Sequence, residues 1–117
     1  MHKGLPILTA GLIAAVALPA AAHHGWSTYD AGSTVVVEAP VLASRYQHPH
    51  GEIEVEAEGK RWLVVLAPPT RMENRGLPAD DIAVGKTVRV EGYPSRVNAG
   101  EMRAERIAVN GRTVELR

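Results

Sequence analysis

The sequence has no cysteine and no phenylalanine among its 117 residues, and it holds two tryptophans and three tyrosines. Without cysteine the chain can form neither disulfide bonds nor thiolate metal sites. Its 13 basic residues balance 13 acidic ones, so it lacks the positive charge that favours nucleic acid or an anionic membrane. Single-stranded nucleic acid also requires more stacking aromatics than this chain offers. We therefore expect no nucleic-acid partner.

The one long hydrophobic run stands at the N-terminus. A short basic start precedes the apolar residues 5–18, and Ala20 and Ala22 occupy the A-x-A positions of a cleavage site. This pattern predicts a signal peptide over residues 1–22, with an uncleaved anchor as the alternative. The run is too short to span a bilayer comfortably, so we expect export to the periplasm with no membrane span after cleavage at His23.

The remaining residues indicate an N-terminal arm over 23–33 and a β domain over 34–117. Alternating apolar and charged residues are typical of half-buried strands, and the short stretch 70–75 favours a helix between prolines and a glycine. Predicted strands cover 34–42, 52–58, 61–67, 86–93, 101–109 and 113–116. A helix between the third and fourth strands is typical of a small oligonucleotide/oligosaccharide-binding (OB) barrel of five to six strands, all-β apart from that helix. A β-sandwich is the alternative.

The histidines that remain after the predicted cleavage fall into two pairs. His23 and His24 follow the cut, while His48 and His50 flank Pro49. A terminal amine and its neighbouring imidazole form a chelate, and nitrogen donors without thiolates favour Cu(II). Residues two apart in an extended segment project to the same side, so both rings of the second pair could reach one ion. We predict a copper site formed by His23, His50 and His48, with His24 as the substitute for His23.

Two alternatives to this copper site follow from the same residues. Cleavage after Ala21 would place His24 third in the chain, which is the arrangement of square-planar amino-terminal Cu(II) and Ni(II) sites. The second pair could also be two exposed loop histidines with no ligand.

Three further residues are candidates for the surroundings of the site. Glu52 lies two residues after His50 and could orient an imidazole or add an oxygen ligand. Trp26 and Tyr29 could line a groove, or they could fasten the arm by burying their rings while a polar tip stays hydrated.

The sequence contains no nucleophile–base pattern, so we expect a protein that is not an enzyme. An N-terminal copper histidine also occurs in oxidative polysaccharide monooxygenases, which makes copper-dependent oxidation an alternative. A second alternative is an OB-type module that binds a peptide, a glycan or a periplasmic protein without metal.

Four parts of the sequence carry a family resemblance. They are the post-signal segment His23-His24-Gly25-Trp26, the segment His48-Pro49-His50, the strand holding Trp62 and the segment Val84-Gly85-Lys86-Thr87-Val88. Together they resemble a family of small exported proteobacterial proteins that is catalogued as a domain of unknown function. Members tend to have a His-His-x-Trp start and an Asn-Pro-His segment. Here Gln47-His48 precedes the proline, so His50 matches the family pattern and His48 departs from it. The resemblance implies export and implies no activity.

The cleavage site is directly testable. Intact-mass analysis of exported protein should give a chain that begins at His23, because the A-x-A positions direct the peptidase to that bond. Recovery of the uncleaved chain from the cytoplasm would contradict the prediction.

Overall fold

The computed structural model describes residues 25–117. The predicted signal peptide, His23 and His24 lie outside the described residues. The elements in chain order are a 3-10 turn (Trp26–Thr28), β1 (Val35–Pro40), β2 (Ala43–Arg45), β3 (Glu52–Ala57), β4 (Lys60–Val65), α1 (Pro69–Asn74), a 3-10 turn (Ala79–Ile82), β5 (Thr87–Pro94), β6 (Glu101–Val109) and β7 (Arg112–Glu115). Within residues 25–117 no helix has the length and apolarity needed to cross a membrane.

All of these strands belong to a single sheet. Its order is β1-β5-β6-β4-β3-β2, and β7 pairs with β6 beside this path. The β4–β6 pair is parallel, whereas the other pairs are antiparallel. Both ends of the path, β1 and β2, come from one continuous stretch of chain. The sheet therefore curls round until its two edges meet on the same stretch.

The turn from β1 to β2 closes the barrel. Val41 donates its backbone N–H to the carbonyl of Lys86, while the next residue, Leu42, donates to Glu54 on the opposite side. Consecutive residues thus bond to the two edges of the sheet. Pro40, which has no N–H to donate, ends β1 just before this change of partner. The strand predicted over 34–42 therefore ends at Pro40, and β2 begins beyond the predicted range at Ala43.

The predicted all-β, OB-like barrel is confirmed. One kinked first strand pairs with both edges, β4 runs parallel to β6, and α1 lies between β4 and β5 as expected for this arrangement. The alternative, a β-sandwich, is wrong, because the described strands form one sheet and not two packed layers.

The barrel interior is filled by aliphatic side chains. Ile53 and Val55 on β3 are fully buried, while the glutamates between them face outward. Trp62 joins this core, whereas Trp26 stays outside it and is half-buried. Each large aliphatic side chain removed from water contributes about 1.5–3 kcal/mol, which lets a small domain fold without disulfides.

Close packing of β5 on β6 requires a glycine at position 92. The register of the two strands shifts between Glu91 and Gly92. A Cβ added at Gly92 would lie 2.0 Å from the carbonyl oxygen of Arg103 and 2.7 Å from the Cα of Ala104. Both neighbours are backbone atoms of β6, so a side chain here would force the two strands apart.

Gly92→Ala should destabilise the barrel by about 3 kcal/mol or more, because relief of the overlap requires movement of the backbone. Urea unfolding followed by circular dichroism measures the change. Gly25→Ala is the matched control, since its added Cβ meets nothing within 4 Å. Equal stability of the two variants would contradict the packing argument.

Candidate functional site

A cleft opens between the loop 46–51 and the loop 95–100. Its volume is about 370 Å³, and the residues that line it are Tyr29, Gln47, Pro49, His50, Glu52, Val65, Asn98 and Glu101. Because β1 and β2 together form the first strand, these loops join strands one and two and strands four and five of the barrel. OB barrels bind their ligands at these two loops.

The two histidines of the His-Pro-His segment lie in different environments. His50 is half-buried and lines the cleft, whereas His48 is exposed and does not line it. The segment bends at His48 and Pro49 instead of continuing as a strand. The alternation of side chains that holds in an extended strand does not apply to a bent loop, so the geometric reason for pairing the two imidazoles is lost.

Two carboxylates face the cleft, and each has protein partners. Arg45 donates from Nε to Glu52 at 3.0 Å. Glu101 accepts from the Tyr29 hydroxyl at 2.5 Å and from the Asn98 amide at 3.2 Å. These contacts fix both carboxylates in the wall of the cleft that His50 also lines.

Residues 25–117 do not contain a complete metal site by themselves. No group of three or more His, Asp or Glu residues lies close enough within that range to hold an ion. His23 and His24, which the sequence predicts as ligands, lie outside the described residues. A site that uses His50 therefore needs donors from before Gly25.

The described part of the arm is held firmly against the barrel beside the cleft. Tyr29 is only 2% exposed. Asp30 donates its N–H to the Pro94 carbonyl at 2.9 Å, and Arg96 donates to the Thr28 carbonyl at 2.9 Å. Tyr29 thus anchors the arm and lines the cleft at once, so the two roles considered for it are compatible.

Trp26 packs outside the core against charged and aromatic side chains. Its ring centroid lies 4.4 Å from the guanidinium carbon of Arg103 and 4.5 Å from that of Arg117. Tyr93 approaches it in an edge-on geometry with a centroid separation of 6.2 Å. Cation–π contacts of this kind hold the tryptophan and the first described turn in place.

Sequence reasoning missed Glu101, Asn98 and Arg103. Glu101 and Asn98 line the same cleft as His50, and the parallel pairing of β4 with β6 places Glu101 opposite Leu63. Arg103 is 8% exposed, although arginines spread through a mixed-charge sequence are typical of the surface. No local pattern in the sequence signals any of these contacts.

The fold is a small OB-like barrel with a cleft between two loops. The chain belongs to the family of unknown function DUF6152, whose model matches residues 10–103. The expected membership of an uncharacterised family is therefore confirmed. No curated protein matches the chain significantly.

Removal of the Tyr29 hydroxyl should destabilise the fold by about 2 kcal/mol, since Glu101 would lose a buried donor. Tyr29→Phe is measured by urea unfolding at about pH 8, where the phenol is neutral. Tyr93→Phe is the control, because it removes the same hydroxyl from a half-buried tyrosine that is not the donor to Glu101.

The same variant should change the dependence of stability on pH. Burial, and then the hydrogen bond to Glu101, raise the pKa of Tyr29 above its usual 10.0. The stability that the neutral phenol contributes is complete below pH 10 and falls above it, because the unfolded chain ionises first. The difference between wild type and Tyr29→Phe should shrink at about pH 11. A constant difference would contradict the assignment.

Proposed function

We propose that this protein is exported to the periplasm and binds Cu(II) at the cleft through His50 and the N-terminal residue His23. The observation that carries the proposal is the position of His50. Among residues 25–117 it is the histidine that lines the cleft, beside two carboxylates and beside the arm that leads back to His23.

The length of the arm supports the proposal. His23 lies six positions before Tyr29, which lines the cleft. An extended chain covers at most about 3.6 Å per residue, so His23 is tethered within about 20 Å of Tyr29. That tether gives the N-terminal amine and its imidazole a high effective concentration at His50.

The donor chemistry selects the metal. An amine and two imidazoles are nitrogen donors of the kind that Cu(II) binds more tightly than other divalent first-row ions. Glu52 and Glu101 add negative charge beside the ion, and Glu52 can accept a hydrogen bond from a ligating imidazole. His24 is the substitute ligand for His23. His48 is not included, because it is exposed outside the cleft.

We do not propose catalysis. The residues of the cleft supply no nucleophile–base pair, and the cleft is a small site for a polymeric substrate. The proposed role is the binding of copper for handling or delivery in the periplasm.

The location of the cleft favours a second candidate function. OB barrels bind peptides, glycans and other chains between these two loops without any metal. In that case the cleft would accept a periplasmic protein or a glycan, and the histidines would serve as hydrogen-bonding groups. The two functions differ in whether His50 is indispensable for tight copper binding.

A copper titration of the chain that begins at His23 tests the proposal. His50→Ala should weaken Cu(II) binding by about 10–100-fold, because it removes one ligand. His48→Ala is the matched control with one imidazole fewer and should leave the affinity unchanged. Calorimetry and electron paramagnetic resonance, which reports nitrogen ligation, provide the measurements.

The same titration with one extra residue before His23 tests the N-terminal chelate. Acylation of the amine should lower the affinity by a similar factor and change the spectrum. Equal affinities for His48→Ala, His50→Ala and the extended chain would reject the copper site and favour the metal-free binding module.

A further inference from the structure

A second cleft lies on the other side of Tyr29, on the outside of the barrel. Its volume is about 440 Å³, within the range of small-molecule sites, and its wall combines aromatic rings with guanidinium groups. Trp26 and Tyr93 supply the rings, and Arg96 and Arg117 supply the positive charge. The cleft shares Tyr29 with the first one but uses neither its histidine nor its carboxylates.

The Arg117 guanidinium is oriented by the ring on which it packs. Its central carbon lies 4.5 Å from the Trp26 centroid. A guanidinium stacked on an aromatic ring keeps the N–H groups around its edge directed outward, where they can bind an oxyanion in a bidentate manner. Trp26 thus fixes a donor group at the wall of the cleft.

The segment that carries Arg117 is itself held in place. Arg75 donates to the carbonyl of Arg117 at 3.0 Å, and Arg71 donates to the carbonyl of Leu116 at 3.1 Å. Leu116 is 1% exposed and packs in the core. The cleft wall therefore requires little ordering when a ligand binds, and this lowers the cost of binding.

Both cleft arginines form long ion pairs. Arg96 donates to Asp30 at 3.5 Å, and Arg117 forms an ion pair with Glu105 at 3.8 Å. Each guanidinium has five N–H donors. Within residues 25–117 the donors at the edges of these two groups are left with capacity for another acceptor.

The neighbouring cations increase the positive potential at this wall. Arg103, at 8% exposed, packs on the same Trp26 ring. Burial lowers the pKa of Arg103; Tyr29 opposes this lowering, whereas the charges of Arg71 and Arg117 repel that of Arg103 and add to it. A bound anion would relieve that repulsion.

We propose that this second cleft binds an organic anion in which a carboxylate or phosphate group is attached to a flat ring. Arg96 and Arg117 bind the oxyanion, and the ring packs against Trp26 and Tyr93. The proposal is independent of copper, because none of these residues belongs to the proposed metal site.

Calorimetric titration of the metal-free chain with phenyl phosphate and with benzoate tests the proposal, and the difference between them identifies the preferred oxyanion. Inorganic phosphate tests the contribution of the ring, and benzyl alcohol tests the contribution of the charge. Both should bind at least tenfold more weakly than the better of the two ring-bearing anions. Fluorescence of Trp26 is a second readout, since Trp62 is buried in the core.

Arg96→Gln and Arg117→Gln should each weaken the binding of that anion about tenfold, because each removes charge-assisted hydrogen bonds. Both side chains are more than half exposed, so the fold should persist. Arg89→Gln removes the same charge from an exposed position outside the cleft and should leave the affinity unchanged. Equal weakening in all three variants, or no binding of either ring-bearing anion at millimolar concentration, would overturn the proposal.

Discussion

The closure of the barrel at residues 40–42 is the constraint on which the rest of the molecule depends. A strand can form hydrogen bonds with a different partner on each side only if consecutive N–H groups point to opposite sides. The N–H groups of Val41 and Leu42 point in this way. The closed path fixes the distance between the loop 46–51 and the loop 95–100. Within that path β4 pairs with both β3 and β6, so the strands that follow the two loops lie one strand apart.

Tyr29 connects the arm to this frame and separates the two clefts. Its ring is buried, its hydroxyl donates to Glu101 at the start of β6, and its backbone forms a bridge with Ser95. On folding, the phenol exchanges a hydrogen bond to water for one to the Glu101 carboxylate. Asn98 already positions that carboxylate, so the exchange favours the folded state. The arm is thus an integral part of the domain from Trp26 onward, although its composition is that of a flexible segment.

The balanced charge of the sequence conceals an uneven distribution in space. Glu52 and Glu101 face the first cleft, whereas Arg96 and Arg117 face the second. Elsewhere the charges pair across strands, as where Arg45 and Arg61 both contact Glu54 and lower the pKa of that carboxyl. Such exposed pairs contribute little to the stability of the fold. The charges that line the clefts instead set the local potential that a ligand would meet. A net charge near zero therefore says nothing about local potentials.

The sequence by itself determined the elements of the fold, because these depend on local chemistry. Alternating residues around Ile53 and Val55 produced a strand with one buried face, and Asn110 and Gly111 adopt the positive φ angles that a two-residue hairpin requires. The helix falls where proline and glycine delimit it. Tertiary structure alone decided which residues line the two clefts. The bend at Pro49 leaves His50 but not His48 in the first cleft, and the β4–β6 pairing positions the strand from which Glu101 lines the same cleft. Side-chain periodicity predicts orientation only within a regular element, and residues far apart in the chain meet through pairings that no local pattern encodes.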